Sequence, residues 1–94
     1  MLVKWTRRGL ASLDKIAAYI ALDNPLAARE FVATIREKSA ILVNNPAIGR
    51  AGRLVVDTRE MVVHENYVMI YRVKADTVQI LRIHHVAQSA PGKA

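Results

Sequence analysis

The chain has 94 residues, a formal net charge of +6 and a sequence pI near 10.2, with 52% hydrophobic and 23% charged residues. That length sets the expectation of one domain over residues 1–94, with enough apolar material for a small core. The absence of cysteine excludes a disulfide scaffold and thiolate metal sites, and the basic excess points to an acidic partner such as nucleic acid, a nucleoprotein or an acidic protein.

Leu2 to Trp5 reads as a short strand, and Thr6 supplies a hydroxyl for a helix N-cap. From there Leu10, Leu13, Ile16, Ala17 and Ile20 recur at helical spacing, with Arg7, Arg8, Ser12 and Lys15 on the other side. This predicts an amphipathic helix ending near Leu22. Asp23-Asn24-Pro25 is a stop and a restart, because asparagine caps well and proline suits a first helical position. Ala28, Phe31, Val32, Ile35, Leu42 and Val43, with Ser39, mark a second apolar stripe that Asn44-Asn45-Pro46 ends. So short a link between two helices implies an antiparallel hairpin.

Ala47 to Arg53 reads as a loop, after which the hydrophobic period changes to two. Leu54–Val56 and Arg59–His64 are expected as one interrupted strand, Tyr67–Val73 as the next and Thr77–Val86 as the last. Glu65-Asn66 and Ala75-Asp76 are the turns between them. Residues 89–94 read as a frayed tail. Simple hairpin registers then set Met61 against Ile70, Arg59 against Arg72, Ile70 against Leu81 and Val68 against Ile83. Alternation assigns Met61, Val63, Val68, Ile70, Leu81 and Ile83 to the face under the helices. His64, Tyr67, Met69, Tyr71, Ile80, Arg82 and His84 fall on the open face. No apolar run reaches the roughly 18 residues needed to span a bilayer, and the N-terminus has no signal-peptide pattern, so a cytoplasmic protein is expected.

Two groups of residues are candidates for chemistry. Arg50 and Arg53, with Arg59 and Arg72 juxtaposed, form a rim suited to phosphate or carboxylate; pairing with Glu60, Asp57 or Asp76 is the alternative. His64, Tyr67, Tyr71, Arg82 and His84 form a mixed face suited to stacking bases, to a protein interface, or simply to packing. His84 and His85 are adjacent on a strand and point to opposite faces, so they cannot share a metal ion, although either could act as an acid or base. There is no P-loop, nucleophile elbow, zincin or dinucleotide motif, and no cofactor or metal is expected.

Trp5-Thr6 leading into Ala11–Ile16, Tyr19-Ile20-Ala21 before Asp23–Ala28, and Asn45-Pro46 followed by Gly49–Arg53 resemble the RelE/ParE toxin family in order and spacing. So do Thr58–Val63, Tyr67–Val73, Val78–His85 and Ala87-Gln88. The resemblance covers nearly the whole chain. It implies an α+β fold of order β-α-α-β-β-β, a helix hairpin on a twisted antiparallel sheet of about three strands beyond the N-terminal one. It also implies an antitoxin encoded in the same operon that wraps the toxin in a hetero-oligomer, growth inhibition by the free toxin, and plasmid stabilisation. RelE-like members cut mRNA on the ribosome with basic, histidine or tyrosine residues, whereas ParE-like members inhibit DNA gyrase. The nuclease branch tends to carry a basic residue where this chain has Val63, another near Ala87 and Gln88, and a late aromatic; none follows Tyr71 here. The long hairpin and the Gly-Arg-x-Gly-Arg stretch are similar to the ParE branch. Gyrase inhibition is therefore the expectation, with Arg50, Arg53, Arg59, Arg72, Arg82, His64, Tyr67 and Tyr71 contacting target or antitoxin. The alternatives are an mRNA interferase using Arg59, Arg82, His84 and His85, and an inactive antitoxin-binding module.

Overall fold

The computed structural model describes residues 1–52 and 55–86. Its elements are β1 (Leu2–Trp5), α1 (Arg7–Asp23), α2 (Pro25–Asn44), β2 (Arg50–Ala51), β3 (Arg59–His64), β4 (Tyr67–Lys74) and β5 (Thr77–His85). The expected helix hairpin is present, and its caps are those the sequence suggests. The Thr6 hydroxyl accepts from the Gly9 N–H at 3.0 Å and donates to the Ile80 carbonyl at 3.0 Å, so one side chain caps α1 and ties it to β5. Asn24 closes α1 with its N–H on the Ile20 carbonyl, and its side chain accepts from Ala27 N–H at 3.1 Å to open α2 behind Pro25. Gly9 is required where α1 crosses β5, because a Cβ there would collide with the Ile80 carbonyl oxygen.

The sheet has five strands in the order β1-β5-β4-β3-β2. β1 joins its edge parallel to β5, and the other pairs are antiparallel. Two expectations change here. The loop over 47–53 contains β2, which pairs Arg50 with Glu60 and Ala51 with Arg59. Val55 and Val56 lie in a bend and turn instead of a strand, before Asp57 at φ 61°; Leu54 and Arg53 are outside the described residues. The tail expected at 89–94 also lies outside them.

Both hairpin registers shift by one residue. A β-bulge between Val62 and His64 sets Met61 against Met69 and Arg59 against Tyr71, not Arg72. A second irregularity beside Ile70 and Tyr71 leaves Leu81 unmatched, so Ile70 faces Arg82 and Val68 faces His84. Because side chains alternate along a strand, each inserted residue moves a set of side chains to the other face. The core under the helices is therefore built from Met69, Tyr71, Val78, Ile80 and Ile83, with Val63, against Leu13, Phe31, Ile35 and Leu42. Val68 and Ile70 turn out to lie on the reverse face, where both are nonetheless buried. The expected placements of Met61, Val63 and Ile83 under the hairpin hold.

Candidate functional site

The shift in register redistributes the candidate residues. Tyr71 is fully buried at 0% exposure, so it is a core residue and offers no surface to a partner. Its hydroxyl accepts from the Gly49 N–H at 2.9 Å and donates to the Pro46 carbonyl at 2.9 Å, fastening the loop between α2 and β2. Arg59 works on the same loop. Its guanidinium donates to the Gly49 carbonyl at 2.7 Å and to the Ala47 carbonyl at 3.3 Å. The expected Arg59–Arg72 clash of like charges does not arise, because Tyr71 stands opposite Arg59. Of the alternatives for the arginine rim, pairing with Glu60 is realised at Arg50, whose guanidinium lies 3.5 Å from the buried Glu60 carboxylate.

The mixed face divides in the same way. On the reverse face one row runs Glu60–Ile70–Arg82, the next Val62–Val68–His84, and Arg72 sits beside Gln79. His84 is buried there, and its Nε2 has no hydrogen-bond partner among the described residues. Burial holds its pKa below the usual imidazole value, Arg82 and His85 add to the depression, and Glu60 partly opposes it. His64, Tyr67 and His85 belong instead to the end of the first hairpin. There the Phe31 ring meets Tyr67 edge-on at 5.1 Å and His64 at 5.5 Å, and Tyr67 meets His85 at 4.9 Å. Among the described residues no group of three His, Asp or Glu side chains is placed to hold a metal ion.

A cleft of about 450 Å³ opens between α1 and the far end of β5. From α1 it takes Ser12, Lys15, Ile16 and Tyr19, which share one helical face. From the sheet it takes Tyr67, Ile83 and His85 and, where β5 runs on beyond its pairing with β1, Arg82 and His84. Ser12 anchors the wall by accepting from the Ile83 N–H at 2.9 Å. Burial raises the Tyr67 pKa, with Tyr19 adding to the rise, so the phenol keeps its proton. Reading α1 as an amphipathic helix placed Lys15 and Ser12 on a plain polar side and gave Tyr19 no role. The signal was present in the spacing of Ser12, Lys15 and Tyr19, but only the position of β5 shows what that face looks onto.

The fold sets the class: a helix hairpin laid on one face of a mostly antiparallel sheet, in a small basic α+β domain. Comparison with known proteins then gives the family. The family model described as ParE toxin of type II toxin–antitoxin system, parDE, matches residues 3–90. The chain belongs to this family of toxins. It is 42% identical over 90 residues to putative toxin Y4kP of Sinorhizobium fredii, covering 95% of this chain and 92% of that protein. It is 37% identical over 86 residues to toxin RelE2 of Caulobacter vibrioides, covering 92% and 96%. A solved structure described as the chromosomal ParDE toxin–antitoxin system from P. aeruginosa matches with a TM-score of 0.78 at 36% identity, over 92% of this chain and 96% of that one. The resemblance read from the sequence is thereby borne out, and so is the α+β fold.

Proposed function

We propose that this toxin arrests growth by inhibiting DNA gyrase through binding, without cutting a bond, and that an antitoxin from the same operon neutralises it. The observation that carries the reading is the structural commitment of Arg59, one of the residues an mRNA-cleaving site would need. Arg59 commits its guanidinium to two loop carbonyls. Arg82 and His84 line the cleft beside α1 together with His85, which stands against Tyr67 at the hairpin end. Val63, where the nuclease branch carries a basic residue, is 2% exposed in the core. A general acid and base must both reach one reacting group, and Arg59 is held on the loop before β2, outside the cleft that Arg82, His84 and His85 line. The likeness to a ParDE assembly supports the antitoxin partner. Exposed Arg50 and Arg82, with half-buried Arg72, are the cations we assign to an acidic antitoxin segment or to the target.

No helix among the described residues is long and apolar enough to cross a membrane, and action on gyrase would take place in the cytoplasm. The deciding experiment compares supercoiling by purified gyrase with cleavage of ribosome-bound mRNA, each with added toxin. Loss of supercoiling with intact mRNA is expected. Cleavage of the mRNA that vanishes in His85→Ala while ribosome binding persists would overturn the proposal and favour the interferase alternative. Failure to arrest growth on expression without antitoxin would leave an inactive antitoxin-binding module.

A further inference from the structure

We infer that the cleft between α1 and β5 is a binding site for a nucleotide, with the base stacked on Tyr19 and the phosphate held by Lys15 and Arg82. Three features of the cleft support this independently of the gyrase reading. The first is charge: Lys15 and Arg82 line it, none of its described lining residues is acidic, and neither cation is in an ion pair among the described residues. Unneutralised cations on one wall and one rim suit a phosphate. The second is the aromatic surface. Tyr19 is 73% exposed on the helix face that looks into the cleft, a large ring held in water beside an apolar floor formed by Ile16. A base can cover such a ring whatever its sequence, since every base has a π-face. The third is the Tyr67 hydroxyl, which stays protonated and has no hydrogen-bond partner among the described residues, so it is a donor for a base edge or a ribose.

The dimensions agree with these roles. A volume of about 450 Å³ falls within the roughly 300–1,000 Å³ usual for small-molecule sites, and it exceeds what an inorganic anion needs. The wall is also rigid where it must be. The Ser12 hydroxyl accepts from Ile83 N–H and donates to the Gly9 carbonyl at 2.8 Å, which fixes the face of α1 carrying Lys15 and Tyr19 relative to β5. A free mononucleotide and the end of a single strand present the same chemistry to this cleft.

The test measures binding of the purified full chain to nucleoside monophosphates, to the matching nucleosides, to inorganic phosphate and to a short single-stranded oligonucleotide. Calorimetry gives the affinities, and amide chemical shifts locate the site. The monophosphate is expected to saturate and to bind about tenfold or more tightly than either phosphate or nucleoside, with shifts at Lys15, Tyr19 and Tyr67. Tyr19→Ala should weaken it by roughly 5- to 150-fold, the range for loss of one base-stacking ring. Lys15→Gln should weaken it and reduce its salt dependence. Arg36→Gln, which removes an equal charge from the exposed side of α2, should change it little. Tighter binding of the oligonucleotide, abolished by the same two substitutions, would identify a strand as the natural ligand; equal affinities would identify the free nucleotide. Absence of saturable binding by nucleotide and strand, phosphate binding as tightly as the nucleotide, or nucleotide affinity unchanged in Tyr19→Ala and Lys15→Gln would each overturn the inference.

Discussion

Replacing Tyr71 by phenylalanine separates a structural role from a target-binding one. The substitution keeps the ring in the core and removes only the hydroxyl that accepts from Gly49 N–H and donates to the Pro46 carbonyl. Gly49 is buried, so its N–H would lose its acceptor without water to replace it. An unsatisfied buried donor costs about 1–3 kcal/mol, and the lost bond to Pro46 adds about 0.5–1.5 kcal/mol. The expected loss is about 2–4 kcal/mol, a large fraction of the roughly 5–15 kcal/mol that stabilises a small domain. With a urea slope of about 1 kcal/mol per M, the midpoint should fall by about 2–4 M. Hydrogen exchange at the Gly49 amide should accelerate by more than the average of the core, because the loop loses its fastening first. A loss under about 0.5 kcal/mol with Gly49 still protected would refute the clamp. Reduced toxicity at unchanged stability would return Tyr71 to a contact role that its burial argues against.

Phe31→Ala should destabilise by about 3–5 kcal/mol in the same denaturation assay, since the ring is 2% exposed and carries the edge contacts to Tyr67 and His64. Ala75, at φ 53° in the turn before β5, should gain on the order of 0.5 kcal/mol on replacement by glycine, as relief of left-handed strain exceeds the added entropy of the unfolded chain. His84 makes stability depend on pH. Its pKa is depressed in the fold, so its contribution is complete above the unfolded value of about 6.5 and is lost as pH falls through the lower folded value. His84→Gln should flatten that part of the stability profile, and an unchanged slope would mean that other groups set it.

Helix-level features were legible because each is local. Thr6, Asn24 and Pro25 act within one turn of their own position, and the stripe from Ala28 to Leu42 repeats often enough to define a face. Strand existence was legible for β3, β4 and β5 for the same reason. What was not legible depends on single inserted residues. Val63 and Leu81 look like ordinary members of alternating apolar runs, yet each is where a register slips. Nothing in their side chains marks a bulge, since neither is glycine. β2 was missed because two residues make no period, and its pairing comes from β3 alone. The parallel placement of β1 beside β5 is a contact across most of the chain, which no local pattern encodes.

These slips matter more for the site than for the fold. A core built from valine, isoleucine, methionine and leucine tolerates exchange of faces, because apolar side chains are present on both sides of β4: Val68 and Ile70 on one, Met69 and Tyr71 on the other. Function-bearing residues have no such redundancy. The shift turns Arg59 from one half of an anion-binding pair into a clamp on the loop before β2, and it buries Tyr71. Arg82 and His84 alternate with Ile83 and His85 along the end of β5, where the cleft beside α1 opens. A single row of basic and aromatic groups, suited to catalysis at one point, becomes two separate surfaces. One is the loop before β2 that Arg59 clamps, and the other is the cleft lined by Lys15, Tyr19, Tyr67 and Arg82. Cleavage requires an acid, a base and a charge stabiliser within reach of one phosphate; with Arg59 fixed on the loop carbonyls and Tyr71 in the core, the residues left at the cleft suit holding a partner better than cutting one.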